Sequence, residues 1–391
     1  MSLPTVTWVI KLSKLCNMRC SYCYEWNSLS DPKRMSLDTW RTVLRGIVEH
    51  TRLRRARLRA SSLQRAARVH TLIVFHGGEP FVLPEAYMTE VLEAFTEITR
   101  GEPDLYQLCL QTNLLSVPES KLNLFLSYGV GLSISFDKRP GVRLNVAGQP
   151  TEATVAANID RLLGRGIPLS GISVLAQHTA QHVCEIYDFF AERRMNLRIL
   201  PLFDGPAERP AEHFSIEHPE IVRALERLFR HWIESGCAVR LSPLQTHLEA
   251  ALRQLAGLRV TTYRRAQYGD SVFMVNVDAK VYRVLDAYEE DLALGDLSLQ
   301  SMGQLLESAS YRQSLARDEQ AFADKCSSCE FLGACSGGFI HDARTAVYPG
   351  RCPTAHPCIQ FILRYIEEQG YGRDEIVALL DQITTQGQQA A

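Results

Sequence analysis

The stretch "CNMRCSYC", residues 16–23, sets Cys16, Cys20 and Cys23 in C-x3-C-x2-C spacing directly after a short apolar run. Thiolate-rich sets select zinc, copper(I) or iron–sulfur. A structural zinc site is closed by four protein ligands. Three thiolates can instead hold three irons of a [4Fe–4S] cube and leave the fourth iron open to a small chelating molecule. A second group lies near the other end, where "CSSCEFLGACSGG" gives Cys326, Cys329 and Cys335, followed by Cys352 and Cys358. Four thiolates can close a zinc site or a second iron–sulfur cluster, and spacing alone leaves both open, as it leaves open the choice of Cys352 or Cys358. Eight of the 11 cysteines fall in these two groups, and the odd total in a chain with no export signal argues for metal ligation over a disulfide framework. Cys109, Cys184 and Cys237 stand alone in apolar or helical surroundings and read as small buried hydrophobes.

Short β-type runs and longer helical patterns alternate around these residues. Strands are expected from Val6, Thr71, Leu105, Gly131, Gly171 and Leu197, with helices over 36–50, 84–99, 118–127, 152–164 and 180–194. Six βα units make a partial (β/α)6 TIM-like barrel, and barrel chemistry sits at the C-terminal ends of the strands. The three-cysteine loop follows the first strand, so it is expected there. Residues 1–214 form this barrel, 215–256 are linking helices, 257–365 a cysteine-rich extension opening on a hairpin around "DAK", and 366–391 a terminal helix and tail.

At this point the sequence resembles the radical S-adenosylmethionine (SAM) superfamily, through C-x3-C-x2-C with Tyr22 before the last cysteine and "FHGGEP" (75–80) at the end of the second strand. The resemblance implies that Cys16, Cys20 and Cys23 hold a [4Fe–4S] cluster whose open iron chelates SAM, and that reductive cleavage yields a 5′-deoxyadenosyl radical. It assigns Gly77, Gly78 and Glu79 to the methionyl amine, Ser135 to the ribose and Arg143, in "RLNVAG", to the carboxylate, and it places Tyr22 in the cofactor site. The family usually has a glycine after the aspartate of the fourth strand; here Lys138 follows Asp137. An electron donor of flavodoxin or ferredoxin type is also implied.

The second cysteine group resembles a SPASM-type extension, which carries auxiliary [4Fe–4S] clusters. Residues 260–290 contain no cysteine and Phe339 follows "CSGG", so all the ligands expected of the nearer auxiliary cluster are absent together. One auxiliary cluster is expected, held by Cys326, Cys329, Cys335 and a fourth cysteine that the resemblance gives as Cys358. The same departures, with His341 and Asp286, resemble the cyclophane-forming maturases of ribosomally made peptides. They imply a precursor peptide as substrate, a carbon–carbon cross-link as product and Asp286 as a catalytic base. Thioether formation, sulfatase-type Ser/Cys oxidation and RNA modification are the alternatives.

Composition narrows the partners. The apolar fraction is 46%, the charged fraction 22% and the net charge −2, which gives no global pull toward nucleic acid or anionic membrane. No signal sequence and no membrane-spanning run are evident, so a cytoplasmic protein is expected. The arginine-rich stretch 51–70 reads as a solvated surface or as a dock for an acidic leader peptide. No aromatics interleave, which weakens a nucleic-acid reading. With no domain before the first strand, peptide recognition is expected from the core, the extension or a separate leader-binding protein.

Overall fold

The computed structural model describes residues 5–60, 70–202, 214–259, 272–283, 290–335, 337 and 348–389. The first strand, β1 (Thr5–Ser13), alternates: Val6, Trp8, Ile10 and Leu12 are buried in the main core, and Thr7, Val9 and Lys11 face the other way. Next come β2 (Met18–Cys20), α1 (Leu37–Ala60), β3 (His70–Gly77), α2 (Glu85–Thr99), β4 (Tyr106–Thr112), α3 (Glu119–Ser127) and β5 (Gly131–Ser135). After β6 (Arg143–Asn145), α4 (Glu152–Gly164), β7 (Leu169–Leu175), α5 (Val183–Glu192) and β8 (Asn196–Pro201) complete the repeat. The helices α1, α2, α3 and α4 each carry an acidic residue in the first turn, where the helix dipole favours it.

Six parallel strands lie in the order β1-β3-β4-β5-β7-β8, the expected partial barrel. Their helix-facing side is sealed by apolar side chains, and their inner side is half-open and partly polar. The short strands β2 and β6 form a separate antiparallel pair, with Cys20 opposite Arg143.

The remainder comprises α6 (His218–Glu234), β9 (Leu241–Ser242), α7 (Leu244–Leu255), the hairpin β10 (Val272–Val275) and β11 (Lys280–Tyr282), β12 (Gly295–Asp296), α8 (Met302–Leu306), α9 (Ala309–Cys326), α10 (Ala355–Gln369) and α11 (Arg373–Gln389). The hairpin is where the sequence places it, but it is not set apart from the barrel. β10 runs parallel to β1, from Thr7 opposite Val272 to Ile10 opposite Val275, and the sheet grows to ten strands. A bare β1 would leave a row of backbone donors and acceptors unpaired, and β10 covers that edge. The expected boundary at 365 falls inside α10, which packs on α7 and α6 and ends at Gly370 in the left-handed conformation. Among the described residues, no helix is long and apolar enough to cross a membrane.

Candidate active site

The three-cysteine loop sits at the C-terminal end of β1. Cys16 N–H donates to Leu29 O at 3.0 Å and Cys23 N–H to Cys20 O at 2.9 Å, which folds the loop back on itself. Cys16 Sγ accepts from Met18 N–H at 3.4 Å and lies 3.7 Å from Asn113 Nδ2 at the end of β4. Burial pushes the Cys16 thiol up to about 11 and the Cys23 thiol up to about 12. Burial also raises Cys20, against the opposing pull of Arg143. Thiols held this high deprotonate only on binding a metal.

The glycines at the end of β3 are required by backbone approach. A Cβ at Gly77, whose φ is +119°, would stand 2.1 Å from Ser13 O, and one at Gly78 would stand 2.0 Å from Leu15 O. Gly78 N–H and Glu79 N–H donate to those same carbonyls at 3.0 and 2.9 Å. The pair therefore presses the end of β3 against the start of the cysteine loop. Glu79 is buried and accepts from Phe81 N–H (3.0 Å), Thr112 Oγ1 (2.8 Å) and Asn113 N–H (2.7 Å). Burial raises its pKa and these three donors oppose the rise. Its carboxylate ties β3 to the end of β4, a role the sequence did not signal.

Tyr22 and Arg143 meet in a buried network with Asp137. The Tyr22 hydroxyl donates to Asp137 and accepts from Arg143 Nη1 at 2.7 Å. Arg143 Nη1 lies 3.6 Å from Asp137 Oδ2, and Asp137 Oδ1 accepts from Ser173 Oγ (3.1 Å) and Val174 N–H (2.9 Å). The network pins the cysteine loop to β6 and β7. Arg143 Nε is a buried donor with no hydrogen-bond partner among the described residues. Lys138, where the resemblance leads one to expect glycine, has φ +50°, so the backbone keeps the glycine-type turn without the glycine. Ser135 ends β5 on the inner face and accepts from Gln111 Nε2 at 2.8 Å.

Sequence reasoning also passed over Lys11, Glu25 and His76. Lys11 and Glu25 form a buried ion pair below Cys23, and Lys14 reaches the other Glu25 oxygen at 3.5 Å. His76, opposite Lys11 in the register, accepts at Nδ1 from Gly77 N–H at 2.7 Å, which leaves its proton on Nε2. A lysine at an inward position of an otherwise apolar strand was the available signal.

The C-terminal cysteines converge on one cavity, but not in the expected set. It is lined by Cys326, Cys329, Cys335 and Cys352, with Phe331, Ile359 and other residues around them. Burial pushes the Cys326 thiol up to about 12, and Cys335, Cys352 and Cys329 all add to the rise. Cys358 does not line the cavity. It is fully buried in the main core on the fourth residue of α10, where burial raises its thiol, with Cys352 and then Glu226 of α6 adding to the rise. The helical turn carries it away from the cavity that Cys352, just before α10, still reaches. His356 is a further neighbour: it bonds Glu330 at 2.9 Å and its ring comes within 4.8 Å of Cys329 Sγ. Asp286, Phe339 and His341 lie outside the described residues.

The arginine stretch is partly used within the protein. Its first part completes α1, where Arg55 and Arg52 both pair with Glu102 and Arg54 is buried. Residues 61–69 lie outside the described residues.

Residues 10–190 match the radical SAM superfamily. The match runs from within β1 to within α5. The protein is accordingly an enzyme that uses a [4Fe–4S] cluster and S-adenosylmethionine. Over 354 residues it is 24% identical to a cysteine-type anaerobic sulfatase-maturating enzyme of Clostridium perfringens, covering 86% of this chain and 89% of the relative. It is 20% identical to a serine-type anaerobic sulfatase-maturating enzyme of Bacteroides thetaiotaomicron, covering 85% and 82%. The structure of native anSMEcpe with bound AdoMet superposes with a TM-score of 0.68 at 20% identity, over 97% of this chain and all of that one. SuiB of Streptococcus suis bound to the precursor peptide SuiA superposes at 0.59 with 13% identity, over 85% of this chain and 71% of that one. These likenesses carry the fold. The residues at the site fit the cofactors by their chemistry: three thiols on one loop, and beside them a buried guanidinium with an unused donor.

Proposed function

We propose that the protein is a peptide maturase that removes hydrogen from an unactivated carbon in a side chain of a ribosomally made precursor peptide and joins that carbon to an aromatic ring. Cys16, Cys20 and Cys23 hold the catalytic cluster, and Arg143, Ser135 and the Gly77–Glu79 turn hold SAM. When bound, this pair supplies a 5′-deoxyadenosyl radical that takes one hydrogen atom from the substrate. The protein's own share is binding and orientation. Tyr22 and Asp137 fix Arg143, and Glu79 fixes the turn. Cys326, Cys329, Cys335 and Cys352 hold one auxiliary [4Fe–4S] cluster. Forming the cross-link removes two hydrogens in all: one as the abstracted atom, the other as a proton, which this reading gives to Asp286, and an electron. An iron–sulfur cluster held by Cys16, Cys20 and Cys23, or by Cys326, Cys329, Cys335 and Cys352, would take up that electron. A leader-binding protein and an external electron donor of flavodoxin or ferredoxin type complete the scheme.

The observation that carries this reading is the open three-thiol loop locked beside Arg143 at the mouth of a partial barrel. A second reading is favoured by the curated relatives, which are named as sulfatase-maturating enzymes: oxidation of a Ser or Cys side group to an aldehyde. The test is anaerobic incubation of the reconstituted enzyme with the peptide encoded beside its gene, followed by mass spectrometry and hydroxylamine treatment. A loss of two hydrogens without hydroxylamine reactivity supports the cross-link. A hydroxylamine-reactive product assigns the oxidation instead. Unchanged peptide would overturn the maturase reading.

A further inference from the structure

One charge on the inner face of the barrel has no use in the site described above. The orientation of β7 is fixed by Gly171, where a Cβ would fall 2.0 Å from the Phe190 ring on α5. Gly171 thus faces the helix layer, and its neighbour Ile172 faces inward. Ile172 is paired with Ser135 of β5 on one side and with Arg198 of β8 on the other. On β8 the alternation agrees: Leu197 and Ile199 are buried in the main core, while Arg198 between them is exposed on the opposite face. Ser135, Ile172 and Arg198 therefore form one row across the inner wall. At about 4.8 Å between strands, Arg198 starts about 10 Å from Ser135.

Arg198 differs from the other inward cations. Lys11 is paired with Glu25 and Arg143 with Asp137. Among the described residues Arg198 has no hydrogen-bond or ion-pair partner, and its side chain is exposed on the inner face. A guanidinium is a permanent charge with a planar fork of donors that matches a carboxylate. On the inner face, with no counter-ion among the described residues, it favours an anionic ligand over a neutral one of the same shape.

We propose that Arg198 is a specificity-determining residue that receives a carboxylate of the substrate peptide, in the same row of the wall as Ser135 and two strands along from it. The proposal rests on the peptide-maturase reading. The carboxylate has two sources: an acidic side group near the modified residue, or the peptide's C-terminus.

The probe is a positional library of nonapeptides in paired forms, with Asp against Asn at each position and a free C-terminal carboxylate against a carboxamide. The reconstituted enzyme with SAM is mixed anaerobically with the library, and the bound fraction is read by mass spectrometry. Wild-type protein is expected to enrich one acid form about tenfold or more over its amide, the size of one hydrogen-bonded charge pair. Enrichment of Asp identifies the side-group source, and enrichment of the free terminus identifies the other. Arg198→Gln, with its iron content matching wild type, is expected to bind peptides with no acid preference. The proposal is overturned by equal acid and amide binding in the wild type, a comparison that needs no variant, or by an unchanged preference in Arg198→Gln. Peptide capture without acid preference removes this proposal alone. Absence of any capture removes the peptide reading with it.

Discussion

The two cysteine-rich regions use the same thiol group in different surroundings. At the N-terminal loop, Cys16, Cys20 and Cys23 are bordered by ionic groups: Arg143 with Asp137 on one side, Lys11 with Glu25 on the other. At the C-terminal cavity, Cys326, Cys329, Cys335 and Cys352 are bordered by the apolar Phe331, Ala355 and Ile359, with Lys325, His356 and Glu330 also close by. Three thiols with a neighbouring guanidinium leave room for an anionic small molecule. Four thiols could fill every ligand position of a cluster and would leave it no open iron. The proposed function makes the first a reaction site and the second a support.

The largest test of this contrast is to remove each set in turn. Cys20→Ala is expected to abolish 5′-deoxyadenosine formation. Cys352→Ala is expected to leave it measurable but lower the iron content from about 8 to about 4 per molecule, at four irons per cube. Cys358→Ala keeps about 8 irons on the same count, because its thiol belongs to the core. Iron assays and chromatography of the SAM reaction read both. Loss of iron in Cys358→Ala with retention in Cys352→Ala would reverse the ligand assignment and with it the account of α10.

Each region also rests on a buried neutral histidine. His50 on α1 lies edge-on to Trp8 behind β1, and burial pulls its pKa down to about 3. His247 on α7, the helix that packs on α10, is pulled down to about 4 by burial. A folded pKa below the unfolded value of about 6.5 means that the unfolded protein binds the proton more readily. These sites therefore cost nothing above about pH 6.5, and stability falls as pH drops from there toward the folded pKa. The loss is about 1.4 kcal/mol per pH unit for each histidine. Urea unfolding at about pH 7 and about pH 5.5 is expected to show a smaller acid loss in His50→Leu and in His247→Leu, by about 1.4 kcal/mol each. If only one variant shows it, the region bearing that histidine unfolds first, and the two regions are not one cooperative unit.

The sequence carried the barrel because its strands alternate in register with buried faces. Thr71 to Phe75, Gly131 to Ser135 and Leu197 to Pro201 all read correctly from β-branched and apolar runs between helices. The positions of the N-terminal cysteine loop and of the Gly77–Glu79 turn, at the ends of β1 and β3, were legible with the strands that carry them. What was not legible depends on long-range contact. Asp137 meets Tyr22 across 115 residues, and β10 joins β1 from the far end of the protein. The choice between Cys352 and Cys358 turns on which side of α10 faces the cavity, which spacing from Cys335 does not encode. Arg198 was passed over because one arginine in a strand looks like a solvated edge until the register places it opposite Ile172.

The smallest test concerns the turn that positions Asp137 beside the reaction site. Lys138 holds φ +50°, a conformation that costs an L-residue about 1 kcal/mol and glycine almost nothing. Its ammonium donates to Glu185 O at 3.2 Å and lies 5.6 Å from the Phe189 ring, so the lysine returns part of that cost. Comparing two truncations cancels these contacts. Lys138→Gly and Lys138→Ala both lose the lysine's interactions and differ only in backbone freedom. At a position with negative φ, glycine is the less stable by about 0.5–1 kcal/mol. Here the order should invert, with Lys138→Gly more stable than Lys138→Ala by about 0.5 kcal/mol in urea unfolding. SAM affinity should follow the same order, since Asp137 holds Arg143 and Tyr22 through this turn. Ala equal to or better than Gly would mean that the turn relaxes without cost. The buried network at the first region would then owe nothing to the backbone that carries it.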